Sequence, residues 1–180
     1  MALAYISTGS LSGSPATVTF TGMDDTYNEY QFYFVNIHPE TAGNLQFQVN
    51  DSGDEGGGFD ESPITSSMFV AYHKEDDGGE NLGYSDNDNP NQADFTNLLS
   101  GLMNDADSSA SGLFTLYAPS SGTYVKQWIA RFNFHNHTTD YTTDSFTSGY
   151  INDVTAITEI RFKMSSDSID AGSIHMYGVG

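Results

Sequence analysis

The chain has 180 residues, with 24 aspartates and glutamates against five lysines and arginines, so its formal net charge is −19. A chain this acidic repels the phosphates of nucleic acid, and it has no polybasic segment for anionic lipid, so we expect neither nucleic acid nor a membrane as a partner. The absence of cysteine excludes disulfides and thiolate metal sites. Hydrophobic residues make up 37% of the chain, which is enough for one folded domain over residues 1–180.

No segment has the features of a targeting signal or a membrane helix. Residues 1–6 lack the basic flank and the long apolar run of a signal peptide, so we expect none. No stretch approaches the roughly 20 apolar residues that a membrane-spanning helix requires.

Most of the chain alternates apolar and polar residues between clusters of Gly, Ser, Asp and Asn. A period of two residues is typical of strands with one buried face, and the clusters are typical of turns. In chain order, strands are predicted at residues 16–21, 30–37, 45–49, 68–72, 113–118, 125–137, 156–164 and 173–177. The acidic or polar segments 51–61, 74–92 and 104–111 are predicted to be exposed connections.

The alternation also assigns faces. The segment 125–137 places its even-numbered residues in the core, namely Trp128, Ala130, Phe132 and Phe134. Its odd-numbered polar residues then face outward, namely Gln127, Arg131, Asn133, His135 and His137. In 156–164, Ile160 and Phe162 are predicted to point inward. The only tryptophan is therefore expected to pack in the core and not to stack on a sugar.

One segment departs from the strand pattern. Its apolar residues recur at helical spacing: Phe95, Leu98, Leu99, Leu102 and Met103. Asp94 or Asn91 would cap such a helix, whereas Gly101 weakens it. We therefore predict one short helix near 94–103 within an otherwise all-β domain. Eight to ten short strands at regular spacing predict a single antiparallel β-sandwich of the jelly-roll kind.

The sequence contains no nucleophile elbow, phosphate loop or dinucleotide fingerprint. We therefore assign no catalytic, cofactor-binding or metal-binding residue, expect no cofactor, and expect a protein that is not an enzyme. Two metal hypotheses stay open beside structural alternatives. His135 and His137 would face the same side of a strand and would need a threefold axis to complete a site; otherwise they are exposed polar residues. Residues 86–89 resemble the start of a calcium loop but equally suit a turn rich in Asp and Asn.

Three tyrosines lie in polar surroundings, namely Tyr84, Tyr141 and Tyr150. They suit a sugar or protein interface, although isolated exposed aromatic residues are also common. In the first case the loops 84–92 and 136–148 would form the site.

The ends of the chain carry an ordered set of motifs. It opens with Ile6-Ser7, Leu11, Val18-Thr19-Phe20 and Tyr27-x-x-Tyr30-x-Phe32, and a strand then enters an Asn-Asp turn as LQFQVND at 45–51. Later come SGLFTLYAP at 111–119, AITEIRF at 156–162 and AGSIHMYGV at 171–179. In this order the motifs resemble the small virion structural proteins of tailed bacteriophages. The resemblance covers most of 3–53 and 109–180, whereas 54–108 has no counterpart.

This resemblance implies an antiparallel β-sandwich in a virion component without enzymatic activity, on the outside of the particle as a capsid decoration, tail or fibre protein. It implies other virion proteins as partners and a homo-oligomer, with a trimer favoured. Three chains of −19 repel one another, so we expect low salt or chelation of divalent cations to weaken the oligomer. The alternatives are a glycan- or receptor-binding module of a tail or fibre, and a hydrolase with two carboxylates in a cleft.

Overall fold

The computed structural model describes residues 2–53, 59, 62–136 and 140–180. Over these residues the chain forms thirteen β-strands and no helix, and hence no helix able to cross a membrane. The strands are β1 (Leu3–Thr8), β2 (Val18–Thr21), β3 (Glu29–Pro39), β4 (Gly43–Asp51), β5 (Ile64–Lys74), β6 (Glu80–Ser85), β7 (Pro90–Gln92), β8 (Thr96–Leu102), β9 (Ala110–Tyr117), β10 (Lys126–Asn136), β11 (Tyr141–Ile151), β12 (Ile157–Met164) and β13 (Ile169–Val179).

The strands form an antiparallel sheet that curls over itself into two layers. Eight strands in the order β6-β5-β11-β10-β9-β3-β13-β1 make the larger layer, which we name sheet I. Four strands in the order β8-β4-β12-β2 make sheet II, and β7 pairs with β5. Strand pairing links the two layers at Asn136 of β10 and Leu102 of β8. The all-β, antiparallel, sandwich-like class predicted from the sequence is therefore confirmed.

Aromatic rings from the two layers meet in the middle of the sandwich. Phe162 of sheet II contacts Phe34 and Phe32 of sheet I edge to face, with ring centroids 4.9 and 5.3 Å apart. Phe47 of sheet II contacts Trp128 of sheet I at 4.8 Å. All five side chains are buried. Edge-to-face pairs add to the free energy gained by burying the rings themselves, so these contacts hold the layers together.

The alternation in the sequence found most of the strands and their buried faces. Each of the eight predicted segments overlaps a strand, and the four side chains of β10 that were predicted to face the core are buried. Ile160 and Phe162 also point inward. The strand predicted at 16–21 begins later than expected, because Ala16 is exposed and precedes β2. The predicted connection 74–92 contains the strands β6 and β7.

The predicted short helix near 94–103 is wrong, because this segment is the strand β8. Pairing with β4 shifts twice along β8: Gln46 pairs with Asn97 but Leu45 with Leu99, and Gly43 pairs with Leu102. Each shift inserts one extra residue into β8, so that both Leu98 and Leu99 turn inward together with Leu102. Two bulges thus reproduce the spacing of a helix. Gly101 has φ +85°, a left-handed conformation that an α-helix does not contain.

Gly149 is required where β5 and β11 approach closely. A Cβ atom at this position would lie 2.1 Å from the carbonyl oxygen of Thr65 and 2.9 Å from Cα of Ser66. We predict that Gly149→Ala lowers the free energy of unfolding by about 1–3 kcal/mol, the usual cost of overpacking. Gly122→Ala is the control, because nothing lies within 4 Å of its Cβ position. Urea denaturation measures both, and equal midpoints for the two variants would contradict the prediction.

Candidate functional site

The outward side of sheet I carries a row of side chains in register. Phe69 of β5 lies between Tyr84 of β6 and Phe146 of β11, and Phe146 is followed by Arg131 of β10. The rings of Phe69 and Phe146 are stacked, with centroids 4.7 Å apart and planes 5° from parallel. The guanidinium of Arg131 lies over Phe146 at 4.7 Å. We name these four side chains the aromatic row.

The aromatic row belongs to a wider exposed apolar surface. Phe69 is 46% exposed, Tyr84 63%, and the neighbouring Leu82 and Ile129 are 69% and 53% exposed. The alternation that directs Trp128 inward directs Ile129 outward, so an apolar residue at an odd-numbered position of β10 can only face solvent. Large exposed apolar patches mark interaction sites in soluble proteins.

This surface is also poor in carboxylates. On the central strands β5, β11, β10 and β9 the outward side chains include one carboxylate, Asp144, although the chain contains 24 acidic residues. At the β6 edge, Glu80 lies on the same side as Leu82 and Tyr84, and Asp88 accepts the hydrogen bond of the Tyr84 hydroxyl. Asp144 is neutralised locally, because Arg131 donates to its oxygens from Nη2 at 2.7 Å and from Nε at 3.1 Å. The acidic charge of the chain therefore lies mainly elsewhere.

A second feature is a cleft of about 260 Å³ between the two layers, on the inward side of β5 and β11. We name it the inter-sheet cleft, and its lining residues are Val70, Tyr72, Ser85, Asn87, Ser100, Asn136, Tyr141 and Thr143. The segments 84–92 and 136–148, which the sequence singled out as a possible sugar site, both contribute to this lining. Of the three singled-out tyrosines, Tyr141 lies here, Tyr84 is in the aromatic row, and Tyr150 is exposed at the end of β11.

The histidine hypothesis falls partly outside the described residues. His137 is not among them, whereas His135 places Nδ1 2.8 Å from the hydroxyl of Ser108 and Nε2 3.5 Å from a carboxylate oxygen of Asp140. Over residues 2–53, 59, 62–136 and 140–180, no group of three metal-ligand side chains is found. His135 lines an open groove of about 430 Å³ that Glu75 and Asp107 also reach. This groove is one place where the hydrolase alternative would find two carboxylates, and a second groove lined by Asp107 and Asp170 is another.

The acidic turn 86–89 is used for internal hydrogen bonds. Tyr84 donates its hydroxyl proton to Asp88 at 2.5 Å, and this bond raises the pKa of the phenol. Asn89 is buried, and its amide donates to the hydroxyl of Thr96 at 2.8 Å. Its backbone N–H donates to the hydroxyl of Ser66 at the same distance. These bonds fit the turn interpretation of the segment.

Sequence reasoning missed a fully buried lysine. Lys126 begins β10 on the same face as Trp128, and its ammonium donates to the backbone carbonyls of Asp153, at 3.0 Å, and Thr155. Burial lowers the pKa of Lys126, and the carboxylates of Asp153 and Asp51 act in the opposite direction. The signal was available, since Lys126 occupies an even-numbered, core-facing position. Its bonds fasten the β11–β12 connection, so its role is structural.

No family model, curated protein or solved structure matches the chain. Its function has to be argued from its own geometry. Two features go beyond what folding alone needs: the exposed surface around the aromatic row and the inter-sheet cleft.

His38 links three segments at one end of sheet I. Its Nδ1 lies 2.6 Å from Asp170 Oδ1 and its Nε2 lies 3.1 Å from the carbonyl oxygen of Asp105. Burial disfavours the charged imidazolium, but the Asp170 carboxylate and the Asp105 carbonyl outweigh burial, so the pKa of His38 is raised above 6.5. Protonation of both nitrogens satisfies both acceptors at once.

We predict that His38 stabilises the fold in a pH-dependent way. Because its pKa is higher in the folded state, the stabilisation is complete below about pH 6.5 and is lost as pH rises through the folded-state pKa. Wild type should therefore be more stable than His38→Gln at pH 5.5, with the difference shrinking at higher pH in thermal melts. In an Asp170→Asn background the same comparison should lose most of its pH dependence. An unchanged difference from pH 5.5 to 9 would contradict the assignment.

Proposed function

We propose that this chain is a non-enzymatic structural protein on the exterior of a bacteriophage particle, a jelly-roll-type sandwich that works by assembling with copies of itself and with other virion proteins. The observation that carries the proposal is the exposed, carboxylate-poor apolar surface around the aromatic row. The motif resemblance of the two ends of the chain to small tailed-phage virion proteins supports the viral setting.

The composition of this surface suits a protein–protein contact. Aromatic residues and arginine are enriched at the centres of interfaces, where acidic residues and lysine are depleted. The aromatic row brings three aromatic rings and one arginine into a continuous line. Covering it would remove exposed apolar area from water at about 25 cal/mol per Å².

A second copy of this chain is the occupant that the charges favour. Two chains of −19 repel each other over most of their surfaces. The surface around the aromatic row is where they can meet with few carboxylates in opposition, because Asp144 is already paired with Arg131. The dimensions also fit: the five strands β6, β5, β11, β10 and β9, about 4.8 Å apart and roughly 30 Å long on average, cover on the order of 700 Å², near the ~800 Å² per partner of a stable interface. We propose a symmetric oligomer in which this surface faces its copies, and the resemblance to phage virion proteins favours a trimer.

The assembly surface is tested by Phe69→Ser. Loss of the stacked ring from the centre of the patch should weaken self-association at least tenfold, as removal of an interface hot spot does. Val154→Ser is the matched control, because Val154 is also an exposed apolar residue, 51% exposed, but lies in the β11–β12 connection. Sedimentation equilibrium over a range of concentrations measures both. The proposal that this surface mediates assembly would be contradicted by a wild type that stays monomeric, or by equal association of the two variants.

The viral setting is tested on particles. In phage particles banded from a culture that carries the gene, we expect mass spectrometry to find this chain in a fixed ratio to the capsid protein. Antibodies against the chain should label intact particles in electron micrographs, because the protein is proposed to lie outside. A chain that stays in the soluble fraction while particles form normally would refute the viral assignment.

A further inference from the structure

We propose that the inter-sheet cleft binds one uncharged sugar residue of a surface glycan. This activity goes beyond assembly and depends on different side chains. The cleft lies on the inward side of β5 and β11, whereas Phe69 and Phe146 project from the outward side of the same strands. Binding and assembly can therefore be disrupted separately.

The lining of the cleft is polar but uncharged. Its side chains are hydroxyls, amides, one valine and two tyrosines, and none of them is acidic or basic. No carboxylate lines this cleft, although the chain has 24 acidic residues among 180. The open groove near His135, in contrast, is lined by two carboxylates, two histidines and a lysine.

Several polar groups of the cleft have no hydrogen-bond partner among the described residues. These groups are the hydroxyls of Tyr72, Tyr141 and Thr143 and the amide oxygen of Asn136. The Asn136 amide nitrogen makes one long bond, 3.5 Å, to the carbonyl oxygen of Ser100. These hydrogen-bond donors and acceptors are therefore available to a ligand.

Two tyrosine rings add apolar surface to the cleft. The rings of Tyr72 and Tyr141 meet edge to face at 4.9 Å, with an angle of 68° between their planes. Together they present ring surface beside the free hydroxyls, and Val70 adds aliphatic surface. Tyrosine is suited to this use because it combines an apolar body with a polar end.

The uncharged lining, the unbonded polar groups and the tyrosine rings together indicate a sugar as the ligand. A pyranose ring has an apolar C–H face for the tyrosines and a rim of hydroxyls that both donate and accept hydrogen bonds, as the lining side chains do. A purely apolar ligand would leave the free hydroxyls and amides unpaired, which costs free energy. A phosphorylated or sulfated ligand is disfavoured, because the lining contains no cationic side chain and the net charge of −19 repels an anion. The volume of about 260 Å³ lies just below the usual range for small-molecule sites and suits one ring.

The probe is a glycan array that carries neutral oligosaccharides beside sialylated and sulfated ones, incubated with fluorescently labelled wild-type protein. We expect binding to a subset of the neutral oligosaccharides. The strongest of these is then titrated by saturation-transfer NMR against wild type, Tyr141→Phe and Thr143→Val. Loss of one hydrogen bond should weaken binding about three- to tenfold in each variant.

Tyr150→Phe is the matched control, because it makes the same change on the same strand but outside the cleft. It should bind like wild type, and Ser85→Trp, which fills the cleft, should abolish binding while the thermal melt stays cooperative. The proposal is overturned by an array without neutral signals, by binding confined to anionic glycans, or by equal effects of Tyr141→Phe and Tyr150→Phe. None of these results bears on self-association, which Phe69→Ser tests separately.

Discussion

The architecture depends on one contact, the packing of Phe162 against aromatic rings of the opposite layer. Phe162 reaches Phe32 and Phe34 on β3 and Phe114 on β9, so that one side chain of sheet II touches two neighbouring strands of sheet I. With the layers held by this aromatic cluster, every strand of sheet I has a defined inner and outer side. The functional features of the molecule follow from which residues occupy each side.

The outer side of sheet I carries an apolar patch that folding does not require. The core is complete without Phe69, Phe146 and Ile129, and these residues have no layer of the described chain above them. In a chain of −19, a surface of this kind is also where a neighbouring copy can approach with little repulsion. Stability and proposed assembly thus use opposite faces of the same strands, separated by a period of two residues.

The inward side chains of sheet I change from aromatic to hydroxyl-bearing along the sheet. Its centre is aromatic, but on β11 the inward side chains are Thr143, Ser145 and Thr147, and the latter two donate to the carbonyl oxygen of Leu98 on β8. The Ser145 and Thr147 hydroxyls bond the two layers together, and the inter-sheet cleft lies beyond them along β11, where Tyr141 and Thr143 line it. If the chain assembles as proposed, several clefts are displayed together, and weak binding of single sugars is multiplied by avidity.

The sequence by itself determined the strand class and the buried faces wherever alternation was regular, as on β4, β10 and β12, because a period of two residues leaves no choice of side. The same alternation places Lys126 on the buried face, because it shares the parity of Trp128, although the sequence analysis did not identify it. Tertiary structure alone decided the rest. The two bulges of β8 depend on its pairing with β4, and they gave Leu98, Leu99 and Leu102 a helical spacing without a helix. The aromatic row joins residues from four strands, and the cleft joins segments far apart in the chain, because cross-strand register and layer packing are set by partners that local pattern does not specify.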